Sequence, residues 1–145
     1  MLRIARSGPA DLARLCALDP LARRDDQRRA LLAEWTAGGA IHIATAGDDI
    51  VGFAVLTRHF FHQPFIDLVV VAEGQRRRGH GLALVRHCVD LAPGGKTWTS
   101  TNQSNSAMQA LLARAGFVPS GRVDNLDPGD PELIFVHLPQ PHRQA

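Results

Sequence analysis

GQRRRGHG, residues 74 to 81, stands between two stretches of opposite character. Before it, PFIDLVVV (64–71) ends in a continuous apolar run, which suits a strand buried on both faces. After it, LALVRHCVDL (82–91) has helical periodicity, and a helix is expected over 79–92 with a stop at PGG. Strand, glycine-arginine loop and helix start form a unit with a physical use. Glycines let the backbone approach a ligand, and the N–H groups of a first helical turn lack partners inside the helix. An anion fits there, and Arg76, Arg77 and Arg78 can add charge-assisted hydrogen bonds to phosphate oxygens. A diphosphate suits the motif better than a nucleic-acid groove does, because the motif is compact and no aromatic residues interleave with the arginines. The plain alternative is a basic solvent loop with turn glycines.

Working outward, LRIA opens as a strand, and SGPADLARLCALD follows as a helix with Pro9 in its first turn and Leu12, Leu15 and Cys16 on one face. RRDDQRRALLAEWTA forms a second helix, with Leu31, Leu32 and Trp35 inward, Asp25 and Arg29 as an i,i+4 pair and its arginines as a solvated face. The strands IHIATA and IVGFAVLTRHF are joined through GDD, a hairpin turn, and lead into PFIDLVVV. Beyond the loop and its helix come a strand KTWTST, a helix SNSAMQALLARAG with Ser104 or Asn105 as N-cap and Gly116 as C-cap glycine, and a closing pair FVPSGRV and ELIFVHL. The order is β-α-α-β-β-β-α-β-α-β-β, an α/β (α+β) chain expected as one domain over 1–138 with a loose polar tail at 139–145.

The length of 145 residues fits one domain with a real core. A net charge of +2 is too small for a general nucleic-acid binder. Fifteen of the sixteen basic residues are arginine, Lys96 being the one lysine, a bias that matches planar anion recognition or codon usage. Cys16 and Cys88 are isolated in apolar helical patterns, which points to core packing and a reducing compartment. No apolar leader or membrane-length run is visible, so the expectation is a cytoplasmic protein without membrane or nucleic-acid partners.

Other motifs do not hold. Gly79-His80-Gly81 meets Leu84 where a dinucleotide fingerprint needs its third glycine, and GGKT (94–97) has Asp90 at the first glycine of a P-loop. His59 and His62 lack nearby thiolates, and His80 and His87 stand two helical turns apart, so no metal is expected.

Two blocks together resemble the GNAT superfamily of acetyl-CoA-dependent N-acetyltransferases. Arg76-Arg77-Arg78-Gly79-His80-Gly81 after DLVVV matches its arginine-x-x-glycine-x-glycine signature, and Asn105, Met108 and Gly116-Phe117 match its asparagine-to-GF segment. The resemblance covers nearly the whole chain. It implies a GNAT fold, a mixed, mostly antiparallel twisted sheet flanked by helices. It also implies acetyl-CoA as co-substrate, with pantetheine along Val69, Val70 and Val71. The diphosphate would rest on the amides of residues 77 to 82, so that Gly79, His80, Gly81 and Leu82 bind through the backbone, and Asn105 would touch the pantetheine arm.

Two departures bear on chemistry. Many members of the family carry a tyrosine acid five residues before the phenylalanine of GF; here that residue is Leu112, and the chain has no tyrosine. Some carry a glutamate base where this chain has Ser100. An ammonium acceptor must still lose a proton before attack. Asp67, which interrupts an apolar strand, is the first base candidate, against a plain hydrogen-bonded strand residue; Glu73 reads as a solvated loop residue, and Ser100 or Asn102 could position water or amine. Asp124, Asp127, Asp130 and Glu132 cluster without a nearby cation in sequence beyond Arg122, so Asp130 and Glu132 are candidates to attract a cationic amine, with turn chemistry as the alternative. The expected function is acetyl transfer to a primary amine, a small molecule favoured over a protein. The rival is an acyl-CoA-binding sensor of the same fold. An exposed strand edge would permit a homodimer without requiring one.

Overall fold

The computed structural model describes residues 1–139; six of the seven residues of the expected tail, 140–145, lie outside the described residues. Seven strands, β1 (Leu2–Arg6), β2 (Ile41–Ala46), β3 (Asp49–Phe60), β4 (Gln63–Val71), β5 (Thr97–Asn102), β6 (Val118–Val123) and β7 (Glu132–His137), form one sheet in the order β1-β2-β3-β4-β5-β7-β6. Four helices, α1 (Leu12–Leu18), α2 (Asp26–Ala37), α3 (His80–Leu91) and α4 (Ser106–Arg114), fall where the hydrophobic periodicity puts them. Pairing of β4 with β5 is parallel, whereas β1–β2, β2–β3, β5–β7 and β6–β7 are antiparallel. The mixed, mostly antiparallel sheet with flanking helices is the expected fold class.

By contact density the chain divides into two compact units, residues 1–56 with 68–84, and residues 57–67 with 85–139 of those described. The first has a core of Leu15, Ala22, Leu32, Ile41, Phe53, Val55 and Val70, against which Leu12, Cys16 and Trp35 pack. Pro9 opens a short 3-10 turn that leads into α1, as its fixed φ favours. At the start of α2 the structure departs from the sequence expectation. Asp25 is the N-cap, its carboxylate accepting from the N–H groups of Gln27 and Arg28 at 2.8 and 3.3 Å, so it does not serve as the i,i+4 partner of Arg29. Arg29 instead pairs with Asp26 and donates to the Ala22 carbonyl at 2.6 Å. Nor are the helix's arginines all solvated: Arg28 reaches Asp19 at 3.1 Å, and Asp19 is buried. Leu32 is fully buried, but Leu31 points outward at 40% exposure, because a helix over the core has one inward stripe.

In the same unit Gly52 of β3 is required by space. A Cβ there would lie 2.7 Å from the Val70 carbonyl oxygen and 3.2 Å from Leu84 Cδ1, so glycine lets β3, β4 and α3 close on one another. The expectation that β4 is buried on both faces needs correction. Ile66 and Val70 are buried, while Asp67, Leu68, Val69 and Val71 are half-buried. The ladder to β5 holds only Phe65↔Trp98 and Ile66↔Thr99, so β4 runs on for five residues past its last register pair with that strand.

The second unit is built on β5 and β7, in register from Thr97↔His137 to Asn102↔Glu132. Thr97, Thr99 and Thr101 alternate inward along β5, as period two requires. Of the two N-cap candidates Asn105 serves, its side-chain oxygen accepting from Met108 N–H at 3.0 Å, and Gly116 ends α4 at φ 90°. β6 is exposed along its length and carries a bulge between Pro119 and Arg122, features that blunt a sheet edge against further pairing.

Candidate active site

In the first unit the chain leaves β4 through Ala72, whose N–H bonds the Val51 carbonyl at 2.9 Å. Gly74, Arg77 and Gly79 then take φ of 80°, 65° and 82°, three left-handed residues within six. Left-handed residues interspersed in a turn can direct backbone N–H groups into a concavity that accepts an anion. No heavy atom lies within 4 Å of a Cβ at Gly74 or Gly79, so glycine is there for its φ and not for room. Arg76, Arg77 and Arg78 are exposed; Arg78 donates to Gln75 Oε1 at 3.3 Å, and Glu73 pairs with Arg23 at 3.7 Å on the surface. Gly81 and Leu82, in the first turn of α3, add N–H groups that the helix cannot satisfy. The residues present fit a diphosphate at this point.

The second unit holds the polar residues. Asp67 is half-buried, and its Oδ1 accepts from the Thr57 hydroxyl at 2.5 Å. Burial pushes its carboxyl above the ordinary value of 3.8, against the opposing pull of the Thr57 hydrogen bond and of His59. On β5, Thr99 donates to the Ile66 carbonyl at 2.9 Å, and Ser100 follows half-buried in register with Ile134. Asn102 is spent on the loop before β7: its amide donates to Asp127 at 2.9 Å and to the Asp130 carbonyl at 3.2 Å. Asp130 accepts from Ser104 N–H and hydroxyl at 3.0 and 2.6 Å, and Asp124 pairs with Arg122 at 2.8 Å. Three of the four clustered acids therefore have partners that help to fix the loop. Glu132 sits half-buried on β7 opposite Asn102.

Leu112, at the family's tyrosine position, is fully buried. Cys88 is buried with its thiol pushed up to about 12, and burial also raises Cys16 despite Arg29 nearby. Neither is an activated nucleophile. Among the described residues no group of three or more His, Cys, Asp or Glu is placed to hold a metal ion. Thr57 carries no motif or spacing that could single it out. His59 drew attention only as a metal-ligand type, and its relation to Asp67 comes from strand pairing.

The family model of the acetyltransferase (GNAT) family matches residues 10–117, from the first helical turn through Phe117. The chain belongs to the GNAT family. A GNAT acetyltransferase from Bacillus cereus superposes with a TM-score of 0.88 at 32% identity, over 97% of this chain and 99% of that one. The peptidyl-lysine N-acetyltransferase YjaB of Salmonella typhimurium is 36% identical over 95 residues, 64% of this chain; the match spans 61% of that relative's length. Diaminobutyrate acetyltransferase EctA of Paenibacillus lautus, solved with its substrate and coenzyme A, shares the fold at a TM-score of 0.75 and 22% identity, covering 96% and 95% of the two chains. The GNAT segment contains β4, the glycine-arginine loop and α3, and ends before the acidic loop and β7. No described helix is long and apolar enough to cross a membrane.

Proposed function

We propose that this GNAT chain transfers the acetyl group of acetyl-CoA to a primary amine by direct attack, a small-molecule amine being the favoured acceptor. The observation that carries the reading is the left-handed backbone of Gly74, Arg77 and Gly79 leading into α3, a cradle for the cofactor's diphosphate. In this reading the amides of residues 77 to 82 hold the diphosphate, with Arg76, Arg77 and Arg78 adding charge at its rim. Val69, Val70 and Val71 present backbone to the pantetheine, and Asn105 contacts the pantetheine arm.

The chemistry follows from an amine that arrives protonated. Asp67 takes one proton from the ammonium, and the freed nitrogen lone pair attacks the thioester carbonyl carbon. The N–C bond forms as the carbonyl π pair moves to oxygen, which a backbone N–H near Val69 or Val70 stabilises. Collapse restores the carbonyl and breaks the C–S bond, the pair leaving on sulfur. The thiolate then takes a proton from water, the nitrogen releases its remaining extra proton to solvent, and Asp67 returns to solvent the proton it took, which restores the base. Ser100 orients the amine, and Glu132 with Asp130 supplies negative charge that draws a cationic acceptor. The relatives support an amine acceptor in kind, one being named for peptidyl lysine and another solved with a diamine acid.

A second reading, an acyl-CoA sensor, is favoured by the buried Leu112 at the position of the family's tyrosine. Free thiol released from acetyl-CoA, with and without a pool of polyamines, aminoglycosides, amino acids and lysine peptides, separates the two. Amine-dependent release is expected; tight CoA binding without release from any pool would leave the sensor.

A further inference from the structure

We propose that Thr57 is a positioning residue for this reaction: its hydroxyl engages Asp67 Oδ1, restrains the carboxyl, and leaves Oδ2 as the atom that takes the proton from the amine. The inference rests on the reading of Asp67 as the base.

Thr57 lies on β3 and is 9% exposed. Its Oγ1 is 2.5 Å from Asp67 Oδ1 and also accepts the backbone N–H of His59 at 3.3 Å. A backbone N–H can only donate, and an ionised carboxylate can only accept. With Asp67 ionised, the hydroxyl hydrogen therefore points to Asp67, while an oxygen lone pair holds the His59 amide. The result is a short, charge-assisted hydrogen bond. Rotation of the carboxyl about its Cβ–Cγ bond would break that bond. Among the described residues no partner is recorded for Oδ2.

The same contact sets when the base is usable. Burial favours the neutral acid, whereas the Thr57 hydroxyl and the His59 imidazole favour the carboxylate. These are the groups that act on it from the neighbouring strands. β3 supplies Thr57 and His59; β5 brings the hydroxyl of Thr99 to the adjoining Ile66 carbonyl and the indole N–H of Trp98 to Gln63, neither of them titratable; and β4 has no other titratable side chain. The hydroxyl therefore offsets part of the rise that burial causes and favours the ionised form, the one that can accept a proton. Residues 57 and 67 stand on consecutive, neighbouring strands joined by two residues.

The test uses the full chain and two titrations. The first follows the Asp67 carboxyl carbon by NMR against pH; the second follows kcat/KM for amine-dependent CoA release with the same amine pool. Thr57→Val removes the hydroxyl at similar volume, Thr57→Ala provides a second hydroxyl-free variant, and Thr57→Ser retains the donor. In both hydroxyl-free variants the Asp67 midpoint is expected to rise by about one pH unit, a tenfold change in the ionised-to-neutral ratio. The acid limb of kcat/KM is expected to rise with it, while Thr57→Ser stays near the native profile. An unmoved Asp67 midpoint in both variants overturns the proposal. A midpoint that moves while the acid limb stays fixed overturns Asp67 as the base, and the catalytic role of Thr57 with it. Loss of activity at every pH with no shift of either titration marks Thr57 as structural only, and that also refutes the inference.

Discussion

Asp67 has properties that pull in different directions, and each can be measured. Burial raises its carboxyl above 3.8, so folding favours the protonated form. Its contribution to stability is therefore fullest below that value and is lost as pH rises through the folded-state midpoint. Asp67→Asn keeps an acceptor for the Thr57 hydroxyl without a charge. The variant should match the native protein in urea unfolding near pH 4 and exceed it near pH 7. Its kcat/KM for amine acetylation should fall about a hundredfold or more, the usual worth of a positioned base. At the loop, Arg77 separates backbone shape from side-chain charge. Its φ of 65° suits glycine, so Arg77→Gly should hold acetyl-CoA within about threefold of native affinity by calorimetry. Arg77→Pro, with φ locked near −65°, should lose most of the binding.

At the scale of elements, the contact of β3, β4 and α3 depends on one missing methyl. Gly52→Ala puts a carbon 2.7 Å from the Val70 carbonyl, and backbone is a poor neighbour to displace. The expected cost is about 1–3 kcal/mol, as for other overpacked sites. Acetyl-CoA affinity should fall with it, because β4 is the strand proposed to carry the pantetheine. Thermal melting and calorimetry on the one variant read both effects. Elements with a strong local signal were legible in the sequence: α4 has its Asn105 cap and Gly116, and the loop after β4 has its glycines. Where two local signals competed, the structure decided. Asp25 could cap α2 or pair with Arg29, and the helix N-terminus, with unsatisfied N–H groups at short range, took it. Leu31 and Leu32 are adjacent and equally apolar, yet only one can face a core on a helix.

For the whole molecule, binding should appear as stability. Acetyl-CoA at a hundred times its Kd should add about 2.7 kcal/mol, read as a rise in Tm, while duplex DNA at the same ionic strength should leave Tm unchanged. The chain by itself determined the order of strands and helices, the arginine-glycine loop between β4 and α3, and GNAT membership, because these are written in short-range periodicity and contiguous motifs. Only the tertiary structure decided which polar groups meet. Pairing of strands brought Thr57 to Asp67, ten residues away, and chain reversal brought Ser104 to Asp130 and Asn102 to Asp127. The same folding left Asp67 half-buried and placed Leu112 in a core. Local patterns fix backbone conformation over a few residues, whereas hydrogen bonds and burial depend on partners that distance along the chain does not reveal.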